Sequence, residues 1–219
     1  MGEAFSAQTA PWPSLRRPLV AILRGIRPEE AISTALALAD AGFEAIEVPL
    51  NSPDPFSSIA KMADALPERC IIGAGTVLAS DDVKRLADVG GSFMVSPNID
   101  AAVMEQARME GMVTLPGVFS ATEALLAIRL GASGLKFFPA NVLGPDGIKA
   151  IKAVLPAQCV IGAVGGVNHA EFSKYLAAGV TAFGLGSSLY KPGMSVDEVA
   201  RRAQTTIAAY DEATNDNAS

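Results

Sequence analysis

The stretch GLKFFPA, residues 134–140, sets one ammonium group inside an apolar run. Lys136 stands among Leu135, Phe137 and Phe138, with Gly134 before and Pro139 after. Short, aromatic and bounded by breakers, the run reads as a buried strand. A lysine is almost never fully buried unless it is paired or has a task. Seven more runs share this texture: LVAILR (19–24), AIEVPL (45–50), IIGAGTV (71–77), FMVSPN (93–98), VTLPGV (113–118), VIGAVGG (160–166) and AFGLGSS (182–188). With GLKFFPA at 134, the starts at 19, 45, 71, 93, 113, 134, 160 and 182 lie 20 to 26 residues apart. That step fits one strand, one helix and two short loops.

The segments between support helices. PEEAISTALALADAG (28–42) has Pro and two Glu in its first turn and ends at Gly42. SDDVKRLADVG (80–90) begins with a Ser/Asp cap and stops at Gly90, and SATEALLAIRLGA (120–132) offers Ser120 or Thr122 as a cap and Gly131 as a stop. Strands alternating with helices mean parallel βαβ units. Eight such units predict an α/β fold of one domain, a (β/α)8 TIM barrel over residues 18–210. A Rossmann-like sheet is the competitor, but ILRGIRPEEA after the first run lacks G-x-G-x-x-G. Residues 1–17 read as a loose N-terminal extension, and the polar tail DEATNDNAS, 211–219, reads as disordered.

Bulk composition narrows the function. Half of the 219 residues are apolar and 18% are charged, with a formal net charge of −6. This chain can bury a sizeable core, and the acidic balance argues against a nucleic-acid surface or a basic membrane-binding stripe. No run approaches the roughly 18 apolar residues of a membrane span. The opening MGEAFSAQTAPWPSLRRP has no apolar core of a secretory signal. Two distant cysteines, Cys70 and Cys159, make no disulfide framework, and a reduced cytoplasmic protein is the simpler reading.

Barrel geometry then gives Lys136 a partner. Side chains alternate along a strand, one set facing the barrel interior. Glu47, in AIEVPL, is third in the second run, and Lys136 is third in the sixth. Even-numbered strands feed the same interior layers, so the two charges face each other across the barrel at similar height. One reading is a buried ion pair, which adds little net stability. The other is chemistry: desolvation favours the neutral amine, which attacks a carbonyl to form a Schiff base, while Glu47 moves the protons.

The last two runs end in VGGV (164–167) and GLGSS (184–188), where barrels of this kind bind phosphate through backbone N–H groups. Gly165, Gly166, Gly186 and Ser187 are candidates for that site. Arg24, at the end of the first run, is a candidate for holding a carboxylate or phosphate bidentately. Thr76 and Pro97 also fall at strand ends. A single histidine, His169, is read as a helix-start residue, so no metal site is expected and no cofactor is called for.

ILRGI, EVPLNSP, GAGTVL, SPN, PG, LKFFPA, GPxxIKA, AVGGV and GLGSSLY follow one another in an order that resembles the family of 2-keto-3-deoxy-6-phospho-sugar-acid aldolases. The resemblance runs from about residue 18 to 210. It implies a class I aldolase acting on a phosphorylated keto acid, with Lys136 as Schiff-base lysine and Glu47 as general acid/base. It also implies substrate and phosphate contacts at Thr76, Gly166, Gly186 and Ser187, and a homotrimeric assembly. Two branches of the family act on C4 epimers. In the gluconate branch the second strand reads like EVTLRT; here VPLNSP follows Glu47, and Asn51 takes the place of that arginine as a candidate substrate contact. ILRG and EVPLNSP resemble the galactonate branch, with Arg24 supplying the missing cation. Use of both epimers is compatible with this pattern. Competing readings are a phosphosugar isomerase or epimerase, which needs no nucleophilic lysine, and a phosphate-ligand sensor, in which Lys136 is only an ion-pair partner.

Overall fold

In the computed structural model, residues 10–216 are described. The order is β1 (Leu19–Ile22), α1 (Pro28–Ala41), β2 (Ala45–Pro49), α2 (Pro55–Ala65), β3 (Ile71–Gly75), α3 (Ser80–Asp88), β4 (Phe93–Val95) and α4 (Ala101–Met109). Then come β5 (Val113–Leu115), β6 (Gly117–Val118), α5 (Ala121–Arg129), β7 (Leu135–Phe137), α6 (Ala140–Lys152), β8 (Ile161–Val164), a 3-10 turn (His169–Glu171), α7 (Phe172–Ala177), β9 (Ala182–Leu185) and α8 (Val196–Asp216).

All strand pairs are parallel, in the order β5-β4-β3-β2-β1-β9-β8-β7-β6. The two ends of that order are halves of one strand, which was expected to be continuous over 113–118. Pro116 interrupts it, because proline brings no N–H to a ladder. The Thr114 carbonyl accepts from Gly134 N at 3.1 Å, and the Pro116 carbonyl accepts from Lys136 N at 2.9 Å. These bonds close the ring, so nine strand segments fill the eight positions of the expected barrel.

Local signals explain the helix limits. Pro28 opens α1 with Glu29 and Glu30 in the first turn, and Gly42 ends it in the left-handed conformation, φ 112°. Ser120 and Glu123 cap α5 reciprocally, and His169 opens its 3-10 turn under an Asn168–Glu171 capping box. The expected cap of α3 is not made: Ala79 occupies the cap position with no side-chain bond, and Asp82 binds Arg85 instead.

Apolar side chains form two layers. The larger cluster lies between sheet and helices and includes Leu19, Phe43, Ile46, Phe137, Phe172 and Phe183. The smaller fills the lower barrel interior with Val20, Ala45, Phe93, Val95, Val113 and Leu115. The stretches 10–17 and 211–216 are better packed than their composition suggested. Trp12 and Leu15 pack under the interior cluster, with the Trp12 ring edge-on to Phe93 at 6.1 Å. Ser133 Oγ donates to the Ala10 carbonyl at 2.5 Å. The stretch from residue 10 to 17 therefore plugs the barrel floor, while residues 1–9 of the expected extension lie outside the described residues. At the other end, α8 passes the expected boundary at 210 and runs to Asp216. Its buried stripe of Val199, Ala203, Ile207, Tyr210 and Ala213 keeps helical spacing across that boundary. Arg17 and Asp211 join the two ends through a bidentate ion pair, both bonds at 2.6 Å. The tail expected at 211–219 thus begins as helix, and residues 217–219 lie outside the described residues.

Candidate active site

A cavity of about 380 Å³ opens at the carboxyl ends of the strands. Alternation along β2 and β7 turns Glu47 and Lys136 into it. In the sheet order, β2 and β7 are four steps apart in either direction when β5 and β6 count as one. The two side chains therefore face each other across the barrel, and they do so without an ion pair. Of Glu47, 2% is exposed, and of Lys136, 6%.

Burial drives both pKa values toward neutrality. It pushes Glu47 up to about 7, against the opposing pull of Lys136, Arg24 and the Gly75 backbone. It brings Lys136 down to about 8, although Glu47 favours the ammonium form; Arg24 assists the drop. The Lys136 amine stands 4.7 Å above the centre of the Phe138 ring. Glu47 Oε2 is buried with no hydrogen-bond partner. Its carboxyl group lies against Gly75, where a β-carbon would fall 1.9 Å from Oε2. The next residue, Thr76, has φ 56°, a strained backbone for a β-branched side chain.

The two glycine loops face the same space. Gly165, Gly166, Gly186, Ser187 and Ser188 line the cavity. The turn after β9 is closed by Leu189 N and Tyr190 N, both donating to the Gly186 carbonyl at 2.9 Å. Among the described residues, the amides of Gly166, Ser187 and Ser188 have no hydrogen-bond acceptor. Such amides are suited to an anion.

Of the ten residues singled out from sequence, Arg24, Glu47, Lys136, Gly165, Gly166, Gly186 and Ser187 line this cavity. Asn51 does not; its Oδ1 accepts from Arg24 Nη1 at 2.5 Å. Thr76 and Pro97 lie in the loops after β3 and β4 and are not on its wall. Among the wall residues that sequence reasoning missed are Ile22, Phe138, Val164, Asn168 and Ser188. Phe138 was legible, because it stands two residues after Lys136 and shares its face. Nothing in the sequence marked Asn168 beyond its place after the glycine pair. Among the described residues, no three or more His, Cys, Asp or Glu side chains come together as a metal site.

A parallel barrel with a desolvated lysine facing a desolvated carboxyl beneath a rim of free amides is the frame of a lyase that works through a lysine amine. Residues 14–207 match the KDPG and KHG aldolase family, and the chain belongs to it. A probable 2-dehydro-3-deoxy-6-phosphogalactonate aldolase of Rhizobium meliloti (strain 1021) is 61% identical over 92% of this chain and 95% of that protein. The 2-dehydro-3-deoxy-6-phosphogalactonate aldolase of Escherichia coli (strain K12) is 46% identical over 90% of this chain and 96% of its own. A solved structure described as native KDPGal superposes with a TM-score of 0.91 at 45% identity, over 94% of this chain and 99% of that one.

Proposed function

We propose that this chain reversibly cleaves 2-dehydro-3-deoxy-6-phosphogalactonate to pyruvate and D-glyceraldehyde 3-phosphate through a Schiff base on Lys136, in galactonate breakdown. The observation that carries the reading is the unpaired, buried Glu47 and Lys136 facing each other in one cavity. Similarity to relatives named for the galactonate epimer supports that choice of substrate.

The neutral Lys136 amine attacks the C2 ketone, and Glu47 delivers the proton with which the carbinolamine loses water. The resulting iminium draws electrons from the C3–C4 bond. Glu47, now ionised, takes the C4 hydroxyl proton; the bond breaks, and glyceraldehyde 3-phosphate leaves. The pair of electrons rests in an enamine, which is protonated at C3 and hydrolysed to pyruvate. Arg24 binds the C1 carboxylate, next to the carbon that Lys136 attacks. The amides of Gly166, Ser187 and Ser188, with Gly165, Gly186 and the Ser187 hydroxyl, bind the phosphate. Thr76 and Pro97 border the keto-acid end of the cavity. No cofactor enters this scheme.

We further propose a cytoplasmic homotrimer. The family resemblance supports the assembly, and the free thiols of Cys70 and Cys159 suit a reducing compartment. No helix among the described residues is long and apolar enough to cross a membrane.

The test is borohydride reduction with pyruvate, read by peptide mass spectrometry, followed by cleavage assays with both C4 epimers. The reading expects a reduced adduct on Lys136, absent in Lys136→Ala, and faster cleavage of the galactonate epimer. A folded protein without the adduct overturns the mechanism; preference for the gluconate epimer overturns the substrate.

A further inference from the structure

Arg24 follows β1 and reaches into the cavity, yet it is an exposed, long side chain. Such a chain ordinarily keeps its rotamer freedom and holds its charge in bulk water. Two neighbours from the loop after β2 prevent this. Asn51 Oδ1 accepts from the guanidinium at 2.5 Å. The buried Ser52 accepts from the Gly25 amide through its Oγ at 2.9 Å, which fixes the backbone one residue beyond Arg24. Ser52 is itself anchored, because its N–H donates to the Pro49 carbonyl at 2.9 Å, at the end of the strand that carries Glu47. Pro192 backs the other side of Gly25, with its Cγ 2.8 Å from where a β-carbon would stand.

The chemistry of this clamp is specific. Among the described residues, no acidic side chain forms an ion pair with Arg24. A neutral amide orients the guanidinium without cancelling its charge, and leaves its other N–H groups for an incoming anion. We propose that Asn51 and Ser52 are positioning residues, which aim an uncompensated Arg24 into the cavity and so preorganise it for the substrate's carboxylate. Asn51 thus acts through Arg24 and not as a substrate ligand. The identity of the anion rests on the aldolase reading; the clamp itself does not.

The experiment combines steady-state kinetics with the Arg24 Nε–H signal in NMR of the ligand-free protein. Asn51→Ala and Ser52→Ala should each raise KM for the keto acid about tenfold, with kcat within about twofold of the parent. Both should lose the protected Arg24 signal. Asn51→Asp should keep that signal but still raise KM, because its carboxylate neutralises the guanidinium. In an Arg24→Ala background, neither alanine variant should cost anything more. Equal losses with and without Arg24, or an unchanged Arg24 signal in both alanine variants, would overturn the proposal. A wild-type protein that traps no pyruvate sinks the aldolase reading, while the NMR arm still decides the clamp.

Discussion

Glu47 and Lys136 face each other across the barrel interior, both buried, and no ion pair joins them. A pair evolved for stability would close the gap, since an uncompensated buried charge costs several kcal/mol. Both groups open onto the cavity instead. Burial leaves each group poorly solvated in its charged form.

Stability should therefore carry the signature of this pair. Glu47 titrates near 7 instead of 4.5. Between those values the folded state holds a proton that the unfolded chain has lost, so stability falls as pH rises through the window. Lys136 titrates near 8 instead of 10.5. Between those values the unfolded chain binds more protons, so stability rises with pH there. Glu47→Gln should stabilise the fold near pH 7.5 by something on the order of 1–3 kcal/mol, abolish cleavage, and lose its advantage near pH 4.5. Denaturant melts at both pH values check this. A variant less stable than the parent at pH 7.5 would contradict it.

The two titrations are linked, and the sign of the link is testable. Glu47 holds the Lys136 pKa up against burial. Removing its charge in Glu47→Gln should lower the Lys136 value below about 8, so more of the amine is neutral at pH 7. Competitive acylation across pH, read on the Lys136 peptide, measures this directly. A rise toward 10.5 would mean that the amine is solvated and the cavity is not the desolvated site described.

Much of this arrangement was legible in the chain, because strand spacing and side-chain alternation are local properties. The regular step of the apolar runs gave the barrel, and one Glu and one Lys at matching positions gave the pair. What escaped was tertiary. Pro116 breaks a strand only because a neighbouring carbonyl ladder needs its missing N–H. Asn51, a candidate substrate contact, turns its side chain to Arg24, which its place in the sequence did not show. The polar DEATNDNAS hid Ala213, whose burial continues the stripe of α8. Trp12 sits among prolines in sequence, and only the open floor of the barrel gives it a place to pack.

Gly75 is where the sequence hides a constraint on Glu47. A β-carbon there would fall 1.9 Å from Glu47 Oε2 and 2.4 Å from Oε1. Gly75→Ala must displace the carboxyl group, and a displacement near 1 Å is enough to lower kcat about a hundredfold. The fold should survive, which circular dichroism and a melt would verify. Unchanged kcat would show that the carboxyl position is not critical.

At the glycine loops, Gly166 has φ 74°, and a β-carbon would lie 2.3 Å from Asn141 Cγ. Gly166→Ala should therefore distort the loop that offers the free amide. KM for the phosphorylated substrate should rise about ten- to a hundredfold, with pyruvate trapping on Lys136 nearly unchanged. Loss of both together would place Gly166 in the keto-acid end instead.

The floor plug gives the opposite separation, stability without chemistry. Trp12 lies half-buried under Val20, Ala45 and Phe93, at the end of the barrel away from the cavity. Catalytic groups sit at the carboxyl ends of barrel strands, and the amino end serves stability. Trp12→Ala uncovers the interior cluster and should cost about 2–3 kcal/mol, less than the removal of a fully buried aromatic. Its kcat and KM should stay within about twofold of the parent at temperatures where both are folded. Paired urea melts and kinetics test this. If kcat falls in step with stability while the protein remains folded, then the lower layer transmits to Glu47 and Lys136, and the floor is part of the active site's support.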